Sequence, residues 1–377
     1  MMVVVLICVV LVILVTGTNL WAWYLLRHNR DVPDQIQERE WPHVAVLVPV
    51  RNEEKHLPAC LQSLLQLEYP PEKLHIIIGN DASTDRTLQI AAQWCAQYPQ
   101  IQVYTITHNI GKARGKANVL AQLVHQCPAT VAYYFMTDAD IRPNPLWIKG
   151  MLQGMAPGVG LVNGTTTVGG TKIMARWQQS DWAVALGLAK AYTYLPRIGH
   201  TLTAIGNNLL ISREAYKATG GYEAIPFSIT EDFELMEQVN RQGFRAVQLM
   251  NRASSAISEP VDSLGTLLHQ RKRWMTGALR MPLLMVALLS VQYLFFTAIV
   301  VLLCLQPLAG ILLLLLRLLA QYLLVSTVLK RTGIKQLPKA GLFYELYLFL
   351  FNLLLLLFYL LPIQINWKDR NYRNNRA

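Results

Sequence analysis

The chain is short of charge. Asp, Glu, Lys and Arg together make up only 15% of its 377 residues, where a soluble domain carries about a quarter. The shortage is concentrated: residues 1–26 carry no charge, 282–329 carry only Arg317, and 346–366 carry none. A membrane-spanning helix needs roughly 20 apolar residues. The first stretch therefore makes one span, the second, broken at Gln306-Pro307, makes two, and the third makes one, so about four spans are expected. Residues 1–26 also lack a basic leading region and a small-x-small cleavage site, which argues for an anchor and against a cleaved signal peptide.

Paired cysteines are missing as well. Cys8, Cys60, Cys95, Cys127 and Cys304 show no paired spacing, which argues against a disulfide framework and against a zinc site. There is no acidic excess either, since the formal net charge is +11. That balance suits a protein that lies against anionic lipid and handles phosphates. Nucleic acid is the usual partner of a basic chain, but four apolar spans argue against it.

The charges that are present orient the chain. Arg27, His28 and Arg30 follow the first span directly, and the loop Lys330-Arg331-Thr332-Gly333-Ile334-Lys335 lies between the third and fourth. Both place the middle of the chain in the cytoplasm, as expected for an integral protein of a bacterial inner membrane. The tail disagrees: Lys368, Arg370, Arg373 and Arg376 fall outside under the same count. Either one apolar segment re-enters or lies along the interface, or the tail is an exception. The organisation expected is an anchor at 1–26, a cytoplasmic domain at 42–280, a membrane region of about three spans at 282–366 and a basic tail at 367–377.

Between residues 42 and 280 strand-like and helix-like patterns alternate. Strand-like runs cover 43–48, 74–78, 101–107 and 131–136, and helix-like runs cover 53–67, 84–97 and 111–125. This βαβαβαβ order predicts an α/β fold with an open, mostly parallel sheet. In such sheets ligands bind outside the carboxyl ends of the strands. Polar and acidic residues gather there: Pro49-Val50-Arg51-Asn52-Glu53-Glu54, then Gly79-Asn80-Asp81-Ala82-Ser83-Thr84-Asp85, then Thr137-Asp138-Ala139-Asp140. Alternating carboxylates such as Asp138 and Asp140 direct oxygen ligands to one place, which suits Mg²⁺ or Mn²⁺. A solvated acidic turn is the plainer alternative, and so short a motif does not decide between them.

Six motifs in order do more. Val48-Pro49-Val50-Arg51-Asn52-Glu53-Glu54, Asn80-Asp81-Ala82-Ser83-Thr84-Asp85, Gly115-Lys116-Ala117-Asn118, Asp138-Ala139-Asp140, Thr230-Glu231-Asp232 and Gln270-Arg271-Lys272-Arg273-Trp274 span most of residues 42–280. The chain resembles the membrane branch of the family-2 inverting glycosyltransferases, with the cellulose, chitin, hyaluronan and poly-N-acetylglucosamine synthases, and it shares much with the ceramide glucosyltransferases. That resemblance implies a nucleotide-diphospho-sugar transferase fold of the A type. It implies a nucleotide-sugar donor, a UDP-sugar above all, bound by Pro49, Arg51, Glu53, Asp81, Lys116, Asp138, Asp140, Gln270, Arg273 and Trp274. Asp138 and Asp140 would also hold the metal, and Asp232 would be the general base. Asn207, Glu231 and Trp274 would face a lipid or glycan acceptor. Asn80 departs from the pattern, because many relatives carry an aspartate there.

Several residues keep two readings. Asp232 also suits an N-terminal helix cap, since Thr230-Glu231-Asp232 precedes the helix-like run 233–240, and Arg-Lys-Arg-Trp also suits a juxtamembrane anchor. The stretch 172–195, with Trp177, Trp182, Tyr192 and Tyr194, is either an interfacial helix or a helix packed on the sheet. Arg317 either meets a lipid phosphate or a growing chain, or snorkels to an interface. The product divides similarly between one sugar on a lipid and a β-linked polysaccharide, the latter needing partner subunits or a homo-oligomer to build a channel. A transporter with a regulatory nucleotide-binding domain lacks the inverted repeats it would need. A protein that binds sugar nucleotides without catalysis would have less reason to carry every expected carboxylate.

Overall fold

The computed structural model describes residues 1–29, 36, 40–195, 201–279, 283–334, 341–361, 363–367 and 370–372. Arg30, Lys335, Lys368, Arg373 and Arg376, on which the orientation of the chain was read, lie outside them. The chain divides into two compact units. One comprises Asp31–Thr167 and His200–Glu259, and the other comprises Met1–Arg30, Val168–Gly199 and Pro260–Ala377.

The first unit is built on ten strands: β1 (Val44–Val50), β2 (Leu74–Asn80), β3 (Ile101–Thr105), β4 (Tyr133–Met136), β5 (Ile141–Pro143), β6 (Val159–Asn163), β7 (Thr165–Val168), β8 (Leu209–Ser212), β9 (Arg245–Gln248) and β10 (Ser255–Ser258). Seven of them form one sheet in the order β3-β2-β1-β4-β8-β6-β9, and β5-β10-β7 form a smaller one. The pairs β1/β2, β2/β3, β1/β4 and β6/β9 are parallel, whereas β8 runs antiparallel to both β4 and β6. The expected parallel sheet is thus present, extended by the reversed strand β8 and by the parallel pair β6 and β9.

Strand β1 reads Val-Ala-Val-Leu-Val-Pro-Val and its first five residues are fully buried. A parallel strand covered on both faces needs such a run. Alternate residues serve opposite layers, as the period of two demands. Ala45 and Leu47 join a core built with the helices Lys116–His125 and Glu231–Arg241. Val44, Val46 and Val48 join another built with Leu57–Leu65 and Trp147–Leu152. The strand order reverses between β1 and β4, since β2 and β3 lie on one side and β4 on the other. A crevice opens at such a switch point, at the strands' carboxyl ends.

The second unit is helical. Three helices are long and apolar enough to cross a membrane: Met2–His28, Pro307–Arg331 and Phe343–Leu360. The second expected span is in pieces, the helices Leu283–Val291 and Phe295–Leu305 with a 3₁₀ turn, Gln292–Leu294, between them. The turn has a function in packing. Gln292 Nε2 donates to Thr18 Oγ1 at 3.0 Å, and its Oε1 accepts from Arg317 Nη2 at 3.0 Å. Arg317 is 1% exposed and also donates to Glu345 Oε1 at 3.0 Å and to the Val15 carbonyl at 3.3 Å. Its charge is balanced inside the helix cluster, so neither the snorkelling reading nor the lipid-phosphate reading describes it. The helix Ile173–Thr193 packs against Met2–His28 and Pro307–Arg331. Beyond the last span, Ile365–Trp367 pairs antiparallel with Arg370–Tyr372.

Candidate active site

The loops after β1 and β2 are clasped together by hydrogen bonds that use nearly every polar residue of both motifs. Arg51 Nη1 donates to the Asp81 carbonyl at 2.7 Å. Asn52 Oδ1 accepts from the Thr84 amide at 2.9 Å, and the amides of Glu53 and Glu54 donate to Thr87 Oγ1 and Asp85 Oδ2 at 2.7 and 3.1 Å. Burial works against the charge of Asp85, but the hydroxyl and amide of Thr87 and the Glu54 amide outweigh it and lower its pKa. Asn80 Oδ1 accepts from the Ser83 amide at 3.3 Å, a bond that an aspartate oxygen would make equally well.

After β4 the chain alternates between inside and outside. Thr137 and Ala139 are buried, while Asp138 and Asp140 are part-exposed. Both carboxylates bear on the Cys60 thiol below them, whose pKa is pushed up by burial first and then by Asp140, Asp138 and Glu53. The Cys60 thiol donates to the Asp138 carbonyl at 3.6 Å. Among the described residues no group of three or more His, Cys, Asp or Glu side chains could hold a metal alone. Two carboxylates fit Mg²⁺ or Mn²⁺ nonetheless, because such ions take one or two carboxylates and complete their shell with waters and substrate phosphates.

Lys116 joins this region to the strand β8 side. The preceding Gly115 has φ 56° and ψ −134°, a conformation open in practice only to glycine. It lets the helix Lys116–His125 start with its first side chain in the crevice. The ammonium lies 2.6 Å from Asp138 Oδ1 and 3.5 Å from Glu231 Oε1, and donates to the Gly206 carbonyl at 3.3 Å. Burial alone would lower its pKa, but Asp138, Glu231 and Asp232 override that and raise it, so Lys116 is a fixed cation.

Asp232 is the second residue of the helix Glu231–Arg241. Its Oδ2 accepts from the Gly206 amide at 2.7 Å and its Oδ1 from the Phe233 amide at 2.9 Å. The helix-cap position itself falls to Thr230, whose side chain makes no capping bond. Gly206 leaves no spare room, because a Cβ there would come within 3.0 Å of both Cβ and Oδ2 of Asp232. Asn207 Oδ1 accepts from Thr166 Oγ1 at 2.9 Å, and its carbonyl accepts from Thr137 Oγ1 at 3.1 Å.

The structure thus brings Asp138, Lys116, Gly206, Glu231 and Asp232 into one constellation, with Arg51 and Asp81 in the clasped loops beside β1 and β2. Two further residues belong to it. Cys60 lies beneath Asp138, and Tyr222, 2% exposed, feels the charges of Glu231, Asp232 and Asp138. Neither carries a sequence signal beyond its place between motifs. Gln270, Arg273 and Trp274 stand on the helix Leu264–Ala278 of the helical unit.

The chain is 28% identical over 241 residues to a beta-monoglucosyldiacylglycerol synthase of Synechocystis sp., covering 63% of this chain and 48% of that protein. It is 25% identical over 252 residues to a poly-beta-1,6-N-acetyl-D-glucosamine synthase of Staphylococcus epidermidis, covering 66% and 58%. The chain spans about half the length of the curated relatives it matches. Among solved structures, the mannosyltransferase PcManGT from Pyrobaculum calidifontis, in complex with GDP-Man and Mn²⁺, superposes with a TM-score of 0.57 at 18% identity, over 88% of this chain and 100% of that one. The likeness establishes the nucleotide-sugar transferase fold of the A type. The profile of glycosyl transferase family 21 matches residues 2–376, and the chain belongs to that family.

Proposed function

We propose that this protein is a membrane-embedded, inverting glycosyltransferase that moves one sugar from a nucleotide-diphosphate donor, a UDP-sugar above all, to a hydroxyl of a lipid or lipid-linked acceptor at the cytoplasmic face. The observation that carries this reading is the meeting of Asp138, Lys116, Glu231 and Asp232 around Gly206. A similarity to glucosyldiacylglycerol synthases supports the lipid acceptor.

In this reading Asp138 and Asp140 would hold Mg²⁺ or Mn²⁺ against the donor's diphosphate, and the ion would supply Lewis acidity for the departing nucleotide. Lys116 places a permanent positive charge where the diphosphate's charge grows. Arg51 holds the carbonyl of Asp81 and so shapes the loop that would receive the nucleoside. Asp232 takes the proton of the acceptor hydroxyl. As that oxygen bonds to the anomeric carbon, the bond from that carbon to the diphosphate oxygen breaks, and the nucleotide leaves with the electron pair. A single displacement inverts the centre. The Gly206 and Phe233 amides hold both oxygens of Asp232 in place while leaving each a free lone pair for the proton. The parts assigned to Gln270, Arg273 and Trp274 come from the family resemblance.

The test is transfer from a panel of radiolabelled sugar nucleotides by the full chain in native lipid, with Mn²⁺, Mg²⁺ or chelator. Metal-dependent label in a lipid-soluble product, abolished in Asp232→Asn, is the expected result. A ladder of oligomers would replace single transfer with polymerisation. No transfer from any donor would sink the enzyme reading.

A further inference from the structure

The helix Leu264–Ala278 carries Gln270, Arg273 and Trp274. The helical unit grips it by the two residues between them, Arg271 and Lys272. Arg271 Nη2 donates to Asp181 Oδ2 at 3.1 Å, in a pair whose side chains are 15% and 10% exposed. Asp181 belongs to the helix Ile173–Thr193 and also accepts from two hydroxyls of the last span, Tyr344 at 2.7 Å and Tyr347 at 3.4 Å. The Arg271 guanidinium covers the ring of Trp274 at 4.6 Å, and that ring meets Trp182 edge-on at 5.0 Å and 78°.

Lys272 is held from another direction. Its side chain is buried, and its ammonium donates to the carbonyls of Phe358, Leu361 and Ile363 at 2.9, 3.1 and 2.9 Å. These carbonyls stand at and just beyond the end of the helix Gly341–Leu360, where backbone acceptors lack intrahelical partners and the helix dipole is negative. All three ammonium protons are used.

A juxtamembrane anchor would keep its charges in water or among head groups, with only the stems buried. Here two successive cations give up water and take fixed partners, at a desolvation cost that simple anchorage would avoid. Successive side chains on a helix point about 100° apart. Holding one of them leaves the helix free to roll about that contact. Holding two at that angle fixes both its rotation and its depth.

We propose that Asp181 is a positioning residue: through Arg271, and together with the grip on Lys272, it sets the rotation of the helix Leu264–Ala278 and hence the direction in which Arg273 and Trp274 project. The proposal rests on the reading in which those two residues act on donor and acceptor. Asp181 must carry its charge to do this. Burial pushes its pKa up, while Arg271 and the hydroxyls of Tyr344 and Tyr347 oppose the rise.

The experiment compares Asp181→Asn, Arg271→Met, the double variant and Asp181→Glu, all as full chains in lipid nanodiscs. Two quantities are read: kcat and KM for transfer, and hydrogen exchange of the segment 264–278. Asp181→Asn is expected to lower kcat about a hundredfold, the scale of a misplacement of about 1 Å, with a smaller change in KM. Exchange in 264–278 should quicken, the double variant should be no worse than either single one, and Asp181→Glu should recover part of kcat. Tyr344→Phe, which removes one hydroxyl and no charge, supplies a milder step in the same direction should Asp181→Asn fold poorly. Additive losses in the double variant, unchanged exchange, or unchanged kcat despite quicker exchange would each overturn the proposal. Absence of transfer by the unaltered chain would instead refute the enzyme reading, and the exchange arm would still decide whether Asp181 fixes the helix.

Discussion

Lys116 Nζ and Asp138 Oδ1 lie 2.6 Å apart, so two residues expected to bind the donor are bonded to each other. The pair ties the start of the helix Lys116–His125 to the end of β4, across the switch point of the sheet. It also places a cation beside Asp138, one of the two carboxylates proposed for the metal.

Lys116→Met tests that cation. The variant removes the ammonium that pairs with Asp138 and Glu231 and adds its charge near Asp232. Breaking one side of a buried pair costs about 3–5 kcal/mol, so a lower melting temperature is expected. Nucleotide affinity by calorimetry should fall at least about tenfold, which corresponds to 1.4 kcal/mol. Lys116→Arg should not restore it, since a planar fork cannot replace a point charge among three partners.

Gly206→Ala tests the seat of Asp232. The added methyl comes within 3.0 Å of the carboxylate oxygen that the Gly206 amide holds. The carboxylate must give by a few tenths of an ångström, and steady-state kinetics should show kcat falling, by less than the roughly hundredfold loss of a 1 Å misplacement, with donor affinity little changed.

Asp85 gives a pH test. Its pKa is lower folded than unfolded, so the native state binds fewer protons and gains stability above the ordinary aspartate range. That gain is lost as pH falls through the folded value. The melting temperature of the unaltered chain should exceed that of Asp85→Asn above about pH 5. The gap should close in stronger acid, and thermal melts across that range read it directly.

Arg317 and Glu345 call for a double-mutant cycle. Each is almost fully buried and they bond at 3.0 Å. Arg317→Met or Glu345→Leu alone should lower thermal stability in detergent sharply, while the double variant should regain most of it, since an apolar pair replaces a buried ion pair at little cost. Equal losses in all three would show that the ion pair is not the unit that matters.

Much of the first unit was legible in the sequence because its signals are local. A continuous apolar run ending at Pro49 reads as a covered strand, and the acidic residues after β1, β2 and β4 fall where the topology puts a crevice. The reversed strand β8 was not legible, because Leu209–Ser212 is too short to show a period and its partners lie far away in sequence. Within the site, the carboxylates could be named from their motifs. The seat that Gly206 provides for Asp232, and the Cys60 thiol under Asp138, arise only when distant segments fold together. Asp181 was not legible as a positioning residue, because its partners Arg271, Tyr344 and Tyr347 are 90, 163 and 166 residues away.

The ion pair in the helix cluster also has a consequence for biosynthesis. Glu345 follows Arg317 by 28 residues, so the arginine leaves the ribosome before the only carboxylate that neutralises it among the described residues. An arginine at the middle of an inserting helix costs about 2.5–3.5 kcal/mol. Chains that end at residue 334 should therefore integrate the segment 307–331 less completely than full-length chains, a difference that a glycosylation-site mapping assay reads. Membrane insertion of this protein is then not a series of independent spans but a deferred event, in which a late segment completes the entry of an earlier one.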